Sequence, residues 1–457
     1  MKNNNLLTYK NIYFIGIGGI GMSALAKYFK LMGKNVLGYD KVPSRITKML
    51  TNEGINIHFE ENENILASLS TFETLVIYTP AIPDNHKELL FAKNNGYKLL
   101  KRAEVLGEIS EGYKTIAVAG THGKTTVTSM ITHIFKTAGK KIVAFSGGLM
   151  SNYNSNFVYD EGAEYMIVEA DEYDKSFLHL KNNFINIITA IDADHLDIYG
   201  NYENLLVTYK TFAYNLINDG LLVLNETLLP KFEASTQIIT YGINKGLFHA
   251  TNIDLTNKMF DVVYSERILK NMLLNVDGIH NVENAVAAFT AAYNSGIAPN
   301  QIKNALASFK GNWRRFEKVY ENKNVLFIDD YAHHPREIEA VLESVKKMYP
   351  DRKVTVVFQP HLFSRTQDLA EDFAKVLSMA DDIILLPIYP AREEPIKGIT
   401  SEWLLNKIQS KNKVVIPKKE LVKYLSSQEI DVLLTLGAGD IDREVDNIKQ
   451  MLKNKAL

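Results

Sequence analysis

The sequence predicts an α/β protein of three domains built on mainly parallel sheets. Three observations predict it. Short apolar runs alternate with helical stretches along the chain, two strand-to-helix transitions carry glycine loops at Gly16 and Gly120, and the chain has 457 residues. One hydrophobic core rarely serves more than ~250–300 residues.

Composition narrows the class. Hydrophobic residues make up 46% and charged residues 23%, the balance of a globular protein. Lys+Arg number 51 against Asp+Glu 53, a net charge of -2. That leaves no broad basic surface for nucleic acid or an anionic membrane, so any anion site must be local. Zero cysteines exclude disulfides, thiolate metal sites and a cysteine nucleophile, and fit a reducing compartment. The first ten residues, MKNNNLLTYK, are too polar for a signal peptide. No apolar run approaches the ~20 residues that span a bilayer. A soluble, cytoplasmic protein is expected.

From Asn11 the chain reads as a strand, a glycine turn, an amphipathic helix through Met32 and a second strand ending at Asp40, a βαβ unit. Runs at Thr74 to Tyr78 and Tyr97 to Leu100 continue the alternation and close a first domain, residues 1–110. A second domain, 111–312, starts with the strand TIAVAG, a loop and a helix. Strand-like runs follow at Lys141 to Phe145, Tyr165 to Glu169 and Ile185 to Ile191, then a helix near Asn281. A third, 313–457, alternates through VLFID, VTVVF, DIILLPI, VVI and DVLLTLG. The outer two domains read as Rossmann-like and the central one as P-loop ATPase-like.

Gly16-Ile17-Gly18-Gly19-Ile20-Gly21 fits G-x-G-x-x-G, with Asp40 at the next strand end. Its physics serves any diphosphate: glycines admit the pyrophosphate and the helix N-terminus offers N–H donors, so a UDP-sugar qualifies as well as NAD. Gly120-Thr121-His122-Gly123-Lys124-Thr125-Thr126 is a variant P-loop, with Val118 in place of the first glycine. Lys124 suits β/γ-phosphates and Thr125 suits Mg²⁺. Two acidic strand ends, Glu169-Ala170-Asp171-Glu172 and Asp192-Ala193-Asp194-His195, offer further ligands. Asn281 and Asn284 share a helix face and could read a purine edge, although Asn281 also suits an N-cap. Adjacent Arg314 and Arg315 suit a nucleotide phosphate. Asp329 to Pro335, and His361 with Arg365, follow strands of the third domain, and Arg365 could hold a carboxylate. A dinucleotide oxidoreductase would leave the second loop unexplained, and a non-catalytic nucleotide switch would leave the first.

With these residues in view, the chain resembles the Mur ligases. The resemblance runs from Ile15 to Asp440 through GIGGIGMSALA, GTHGKTT, EADEYDKSFL, DADHLDIYG, GIHNVENA, RRFE, DDYAHHP and FQPHLFSRT. It implies an ATP- and Mg²⁺-dependent amide ligase of peptidoglycan synthesis, a monomer or weak homodimer. GIGMSALA and FQPHLFSRT favour the branch joining L-alanine to UDP-N-acetylmuramate, and EADEY also resembles the branch adding a tripeptide. By position, Gly18, Gly19, Ile20, Gly21, Met22 and Asp40 would hold the UDP substrate. Gly120 to Thr126 would bind ATP, with Lys124 on the γ-phosphate. Thr125, Glu169 and His195 would bind metal, and His195 is also a candidate proton acceptor. Asn281 and Asn284 would contact adenine, Arg315 and Asp330 the nucleotide, and His361 and Arg365 the alanine.

Overall fold

The computed structural model describes residues 5–194, 196–232, 237–391 and 393–455. It is an α/β structure with three sheets. The first runs β3-β2-β1-β4-β5, all parallel, from β1 (Asn11–Ile15), β2 (Asn35–Tyr39), β3 (Asn56–His58), β4 (Thr74–Tyr78) and β5 (Lys98–Lys101). The order reverses between β1 and β4, where open α/β sheets bind ligands.

The central sheet has ten strands in the order β15-β14-β13-β12-β11-β10-β6-β9-β7-β8. Its parallel heart comprises β6 (Lys114–Ala119), β7 (Ile142–Met150), β9 (Tyr165–Glu169), β10 (Asn183–Ile188), β11 (Leu216–Asn225), β12 (Gln237–Ile243) and β13 (Phe248–Asp254). β8 (Ser155–Tyr159) pairs antiparallel with β7, and β14 (Met259–Tyr264) with β15 (Arg267–Leu273). The third sheet, β16-β17-β21-β18-β19-β20, is parallel except at β16 (Glu317–Glu321). Its other strands are β17 (Leu326–Asp330), β18 (Val354–Phe358), β19 (Asp382–Leu385), β20 (Asn412–Val415) and β21 (Val432–Leu436).

The three sheets are distributed over two compact units, the first two sheets sharing one of them. The first unit comprises Met1–Ile253, Met259–Asn275 and Val282–Lys310, and the second Asp254–Lys258, Val276–Asn281 and Gly311–Leu457. The helix Ile20–Leu31 explains the union of the first two sheets. Met22 through Phe29 are all buried, because one side of the helix covers the first sheet and the other meets β7 and β8. Tyr28 packs on Phe145 and Phe157 at ring separations of 5.9 and 6.3 Å. Each fully buried aromatic of this kind contributes ~1.5–3 kcal/mol.

Tertiary burial also overrides local preference in the helix Lys124–Thr137. Its sequence, KTTVTSMITHIFKT, is rich in β-branched residues that disfavour helix. Residues Thr125 through Phe135 are nevertheless all buried, and two of their hydroxyls bond back to carbonyls one turn earlier. Ser129 donates to Thr125 O at 2.8 Å and Thr132 to Thr128 O at 2.8 Å. In the second unit the helix Pro335–Met348 starts as its sequence dictates, with proline in the first turn, His334 as N-cap and Glu337 closing a capping box. Among the described residues no helix is long and apolar enough to cross a membrane.

Candidate active site

The first glycine loop leaves β1 at Gly16, whose φ of +88° only glycine adopts freely. Gly18 N–H donates to Asp40 Oδ2 at 2.7 Å, and a Cβ on Gly18 would lie 2.7 Å from that oxygen. Asp40 therefore anchors the loop, beyond any contact it makes with a ligand. Gly19 is exposed and Ile20 and Gly21 are half-buried at the helix start, while the Met22 side chain belongs to the core. Only the backbone of Met22 is left to meet a ligand.

The second loop is built by β6 and the helix Lys124–Thr137. Gly120 has φ +131°, and a Cβ there would collide with Thr189 Oγ1; Gly123 has φ +84°, and its Cβ would lie 2.6 Å from Asn284 Oδ1. Thr189 Oγ1 donates to His122 O, and Thr121 N–H donates to Ala190 O at 2.9 Å. His122 Nε2 stands 3.2 Å from Asp192 Oδ2. The end of β10 thus fixes the loop from beneath.

Lys124 Nζ donates to Gly120 O at 2.6 Å and to Glu172 Oε1 at 2.9 Å. Burial opposes its charge, but Glu172, then Asp171 and Glu169, outweigh burial and hold its pKa above the ordinary value. Thr125 Oγ1 lies 3.1 Å from Glu169 Oε1, and Gly147 N–H donates to Glu169 Oε2 at 2.7 Å. The loop, Lys124, Thr125, Glu169 and Asn284 thus come together in the first unit. His195 lies outside the described residues.

Sequence reasoning missed Gly147, Thr189 and the pairing of Glu172. The signal for the first was a Gly147-Gly148 pair inside the apolar strand run of β7. A Cβ on Gly147 would come within 2.5 Å of Glu169 Cδ, so the strand must be bare where the carboxylate crosses it. Asp174 and Lys175, which follow this edge, hold left-handed φ values of 54° and 55°.

The remaining expected residues lie in the second unit. Asn281 donates through Nδ2 to Asp277 O at 2.6 Å, so its amide stabilises the start of its helix. The Asp330 carboxylate accepts from Phe316 N at 2.6 Å and Ala332 N at 2.7 Å. Burial pushes it up to about 6, against the pull of Arg315. Arg315 lies over the Tyr331 ring, 5.1 Å from its centre, and near Glu337 at 3.9 Å. His361 stacks on Tyr389 at 5.8 Å and meets His333 edge-on at 6.1 Å. Arg365 is half-buried and acts electrostatically on Tyr331.

His280, packed on Gly278 and Phe316, is pushed by burial and by Arg315 down to about 4 from 6.5. A depressed imidazole stabilises the fold while neutral. Its contribution is complete above pH 6.5 and is lost as the pH falls through about 4. Urea midpoints at pH 7, 6 and 5 are expected to decline, and to decline less in His280→Gln.

Family models match the chain in three consecutive stretches: the Mur ligase family catalytic domain over residues 11–114, the Mur ligase middle domain over 118–292, and the Mur ligase glutamate ligase domain over 314–439. UDP-N-acetylmuramate–L-alanine ligase of Flavobacterium psychrophilum is 48% identical, covering 99% of this chain and 100% of its own. That of Porphyromonas gingivalis is 45% identical, covering 97% and 99%. The crystal structure of UDP-N-acetylmuramate-alanine ligase from Thermotoga maritima superposes with a TM-score of 0.82 at 27% identity, covering 97% of this chain and 99% of that one. A murein peptide ligase from Psychrobacter arcticus shares the fold, with a TM-score of 0.73 at 22% identity over 97% and 99% of the two chains.

Proposed function

The chain belongs to the Mur ligase family, and from that membership we infer its reaction: it joins L-alanine to the lactyl carboxylate of UDP-N-acetylmuramate, converting ATP to ADP and phosphate, in peptidoglycan synthesis. The observation that carries the reading is the end-to-end match to relatives of that name. The fold alone does not choose, because a murein peptide ligase shares it.

The chemistry follows from the substrates. A carboxylate oxygen is too poor a leaving group to be displaced by an amine. The lactyl carboxylate therefore attacks the γ-phosphorus of ATP, giving an acyl phosphate and ADP. The alanine amine, once it has lost a proton, attacks the acyl carbon, and phosphate departs as the amide forms.

Lys124 is assigned to the γ-phosphate, where a preorganised cation stabilises charge gathering on the phosphoryl oxygens. It must exchange Glu172, 2.9 Å away, for those oxygens. The Thr125 hydroxyl and Glu169 carboxylate, 3.1 Å apart, are hard oxygen donors that fit Mg²⁺, and they would hold it. When bound, the ion neutralises charge on the phosphates. His195 is assigned to a second metal contact and to accepting the amine proton. Gly18, Gly19, Ile20, Gly21 and the Met22 backbone are assigned to the UDP substrate, with Asp40 shaping their loop. Asn281 and Asn284 are assigned to adenine, Arg315 and Asp330 to the nucleotide, and His361 and Arg365 to alanine. We place the reaction in the cytoplasm, performed by a monomer or weak homodimer.

Phosphate release from ATP with UDP-N-acetylmuramate tests the reading, with L-alanine, L-serine, glycine or murein tripeptide added singly and the product weighed. Strongest release with L-alanine, and a product heavier by one alanine residue, is expected. Release with tripeptide alone would overturn the alanine assignment and leave the ATP site standing.

A further inference from the structure

The first unit holds a small cavity whose walls include Arg102, Glu169, Asp171 and Phe177. Arg102 opens the helix Arg102–Ser110, directly after β5. Its guanidinium lies against the first loop, because a Cβ on Gly21 would sit 3.1 Å from Nη1 and 3.4 Å from Cζ. On the other side its Nη2 is 3.5 Å from Asp171 Oδ2, too long for a strong charge-assisted bond. The Asp171 side chain is 40% exposed and that of Arg102 18%. The neighbouring pair is tighter, with Lys101 Nζ 3.0 Å from Asp174 Oδ2. Arg102 is thus a largely enclosed cation with a loosely held partner, in a cavity it shares with the Glu169 carboxylate.

We propose that Arg102 binds the lactyl carboxylate of the UDP-sugar, exchanging Asp171 for it, and so selects a nucleotide sugar that carries an acid. The proposal rests on the reaction inferred above. That reaction requires a substrate held by its diphosphate at Gly18 to Gly21 to present a carboxylate to the phosphate held at Lys124. A guanidinium that touches the first loop and faces a cavity shared with Glu169 offers a carboxylate two parallel N–H donors, which a lysine cannot match. It also orients the carboxylate without donating a proton to it, so the oxygen remains a nucleophile.

The test compares calorimetric binding of UDP-N-acetylmuramate with that of UDP-N-acetylglucosamine, which lacks the lactyl group, to the native protein, Arg102→Gln and Asp171→Asn. Loss of a charge-assisted pair predicts that Arg102→Gln weakens UDP-N-acetylmuramate by about 10- to 100-fold and leaves UDP-N-acetylglucosamine within about twofold. Its KM for UDP-N-acetylmuramate should rise while those for ATP and alanine stay constant. Asp171→Asn should bind UDP-N-acetylmuramate as well as the native protein, or better. Equal weakening of both sugars would make Arg102 a diphosphate ligand and overturn the proposal. An equal loss in Asp171→Asn would make the pair structural, with the same result. A native protein that binds neither sugar would instead remove the reaction itself.

Discussion

Lys124→Ala is expected to lower the rate of phosphate release about 100- to 1,000-fold at saturating substrates, the usual effect of removing one preorganised donor from a developing charge. The variant should also lose stability, because Lys124 is the cation beside Glu172, a residue only 2% exposed. Breaking one half of a buried ion pair costs about 3–5 kcal/mol. Adding Glu172→Gln removes the charge that Lys124 faces. The double variant should therefore recover its melting temperature and stay inactive, which separates the chemical role of the lysine from its structural one. Turnover within about fivefold of the native protein in either variant would take Lys124 out of the reaction.

Gly147→Ala is expected to be nearly as damaging, although glycine offers no side chain to any substrate. The added methyl would come within 2.5 Å of Glu169 Cδ, and the carboxylate must move. It would then leave the Gly147 N–H and the Thr125 hydroxyl that now orient it. Oxygen ligands displaced by about 1 Å or more no longer meet Mg²⁺ at its short, strict distances. The Mg²⁺ concentration giving half-maximal activity should rise by about tenfold or more, with a turnover loss of about 100-fold. An unchanged Mg²⁺ requirement would mean that the reaction does not use the present position of Glu169.

What the sequence disclosed was what local chemistry encodes. The strands Thr74–Tyr78, Tyr165–Glu169 and Val354–Phe358 stand where their apolar runs put them, and both glycine loops join a strand to a helix. The loop lysine and threonine could be read because their spacing reflects one continuous turn. The pairing of Lys124 with Glu172 spans 48 positions and that of Gly147 with Glu169 spans 22, so no local pattern announces either. The packing of the first two sheets through one helix was hidden for a related reason. A helix buried on both sides, as Ile20–Leu31 is, shows in sequence that it is apolar and not which neighbours cover it. Asp40 and Asn281 were read as ligand contacts, yet each also holds its own backbone, through Gly18 N–H and Asp277 O respectively.

The shared core of the first two sheets makes a ruler of the first unit. The loop assigned to the UDP-sugar and the loop assigned to ATP are seated on either side of one continuous apolar interior, from Tyr28 to Phe157, and not on bodies free to slide. Their separation is fixed when the chain folds, before any substrate arrives. A single inhibitor that tethers a uridine diphosphate to an adenosine phosphate would therefore face a span with a built-in length. Linkers shorter than that span would strain against close packing, and longer ones would lose affinity to their own slack.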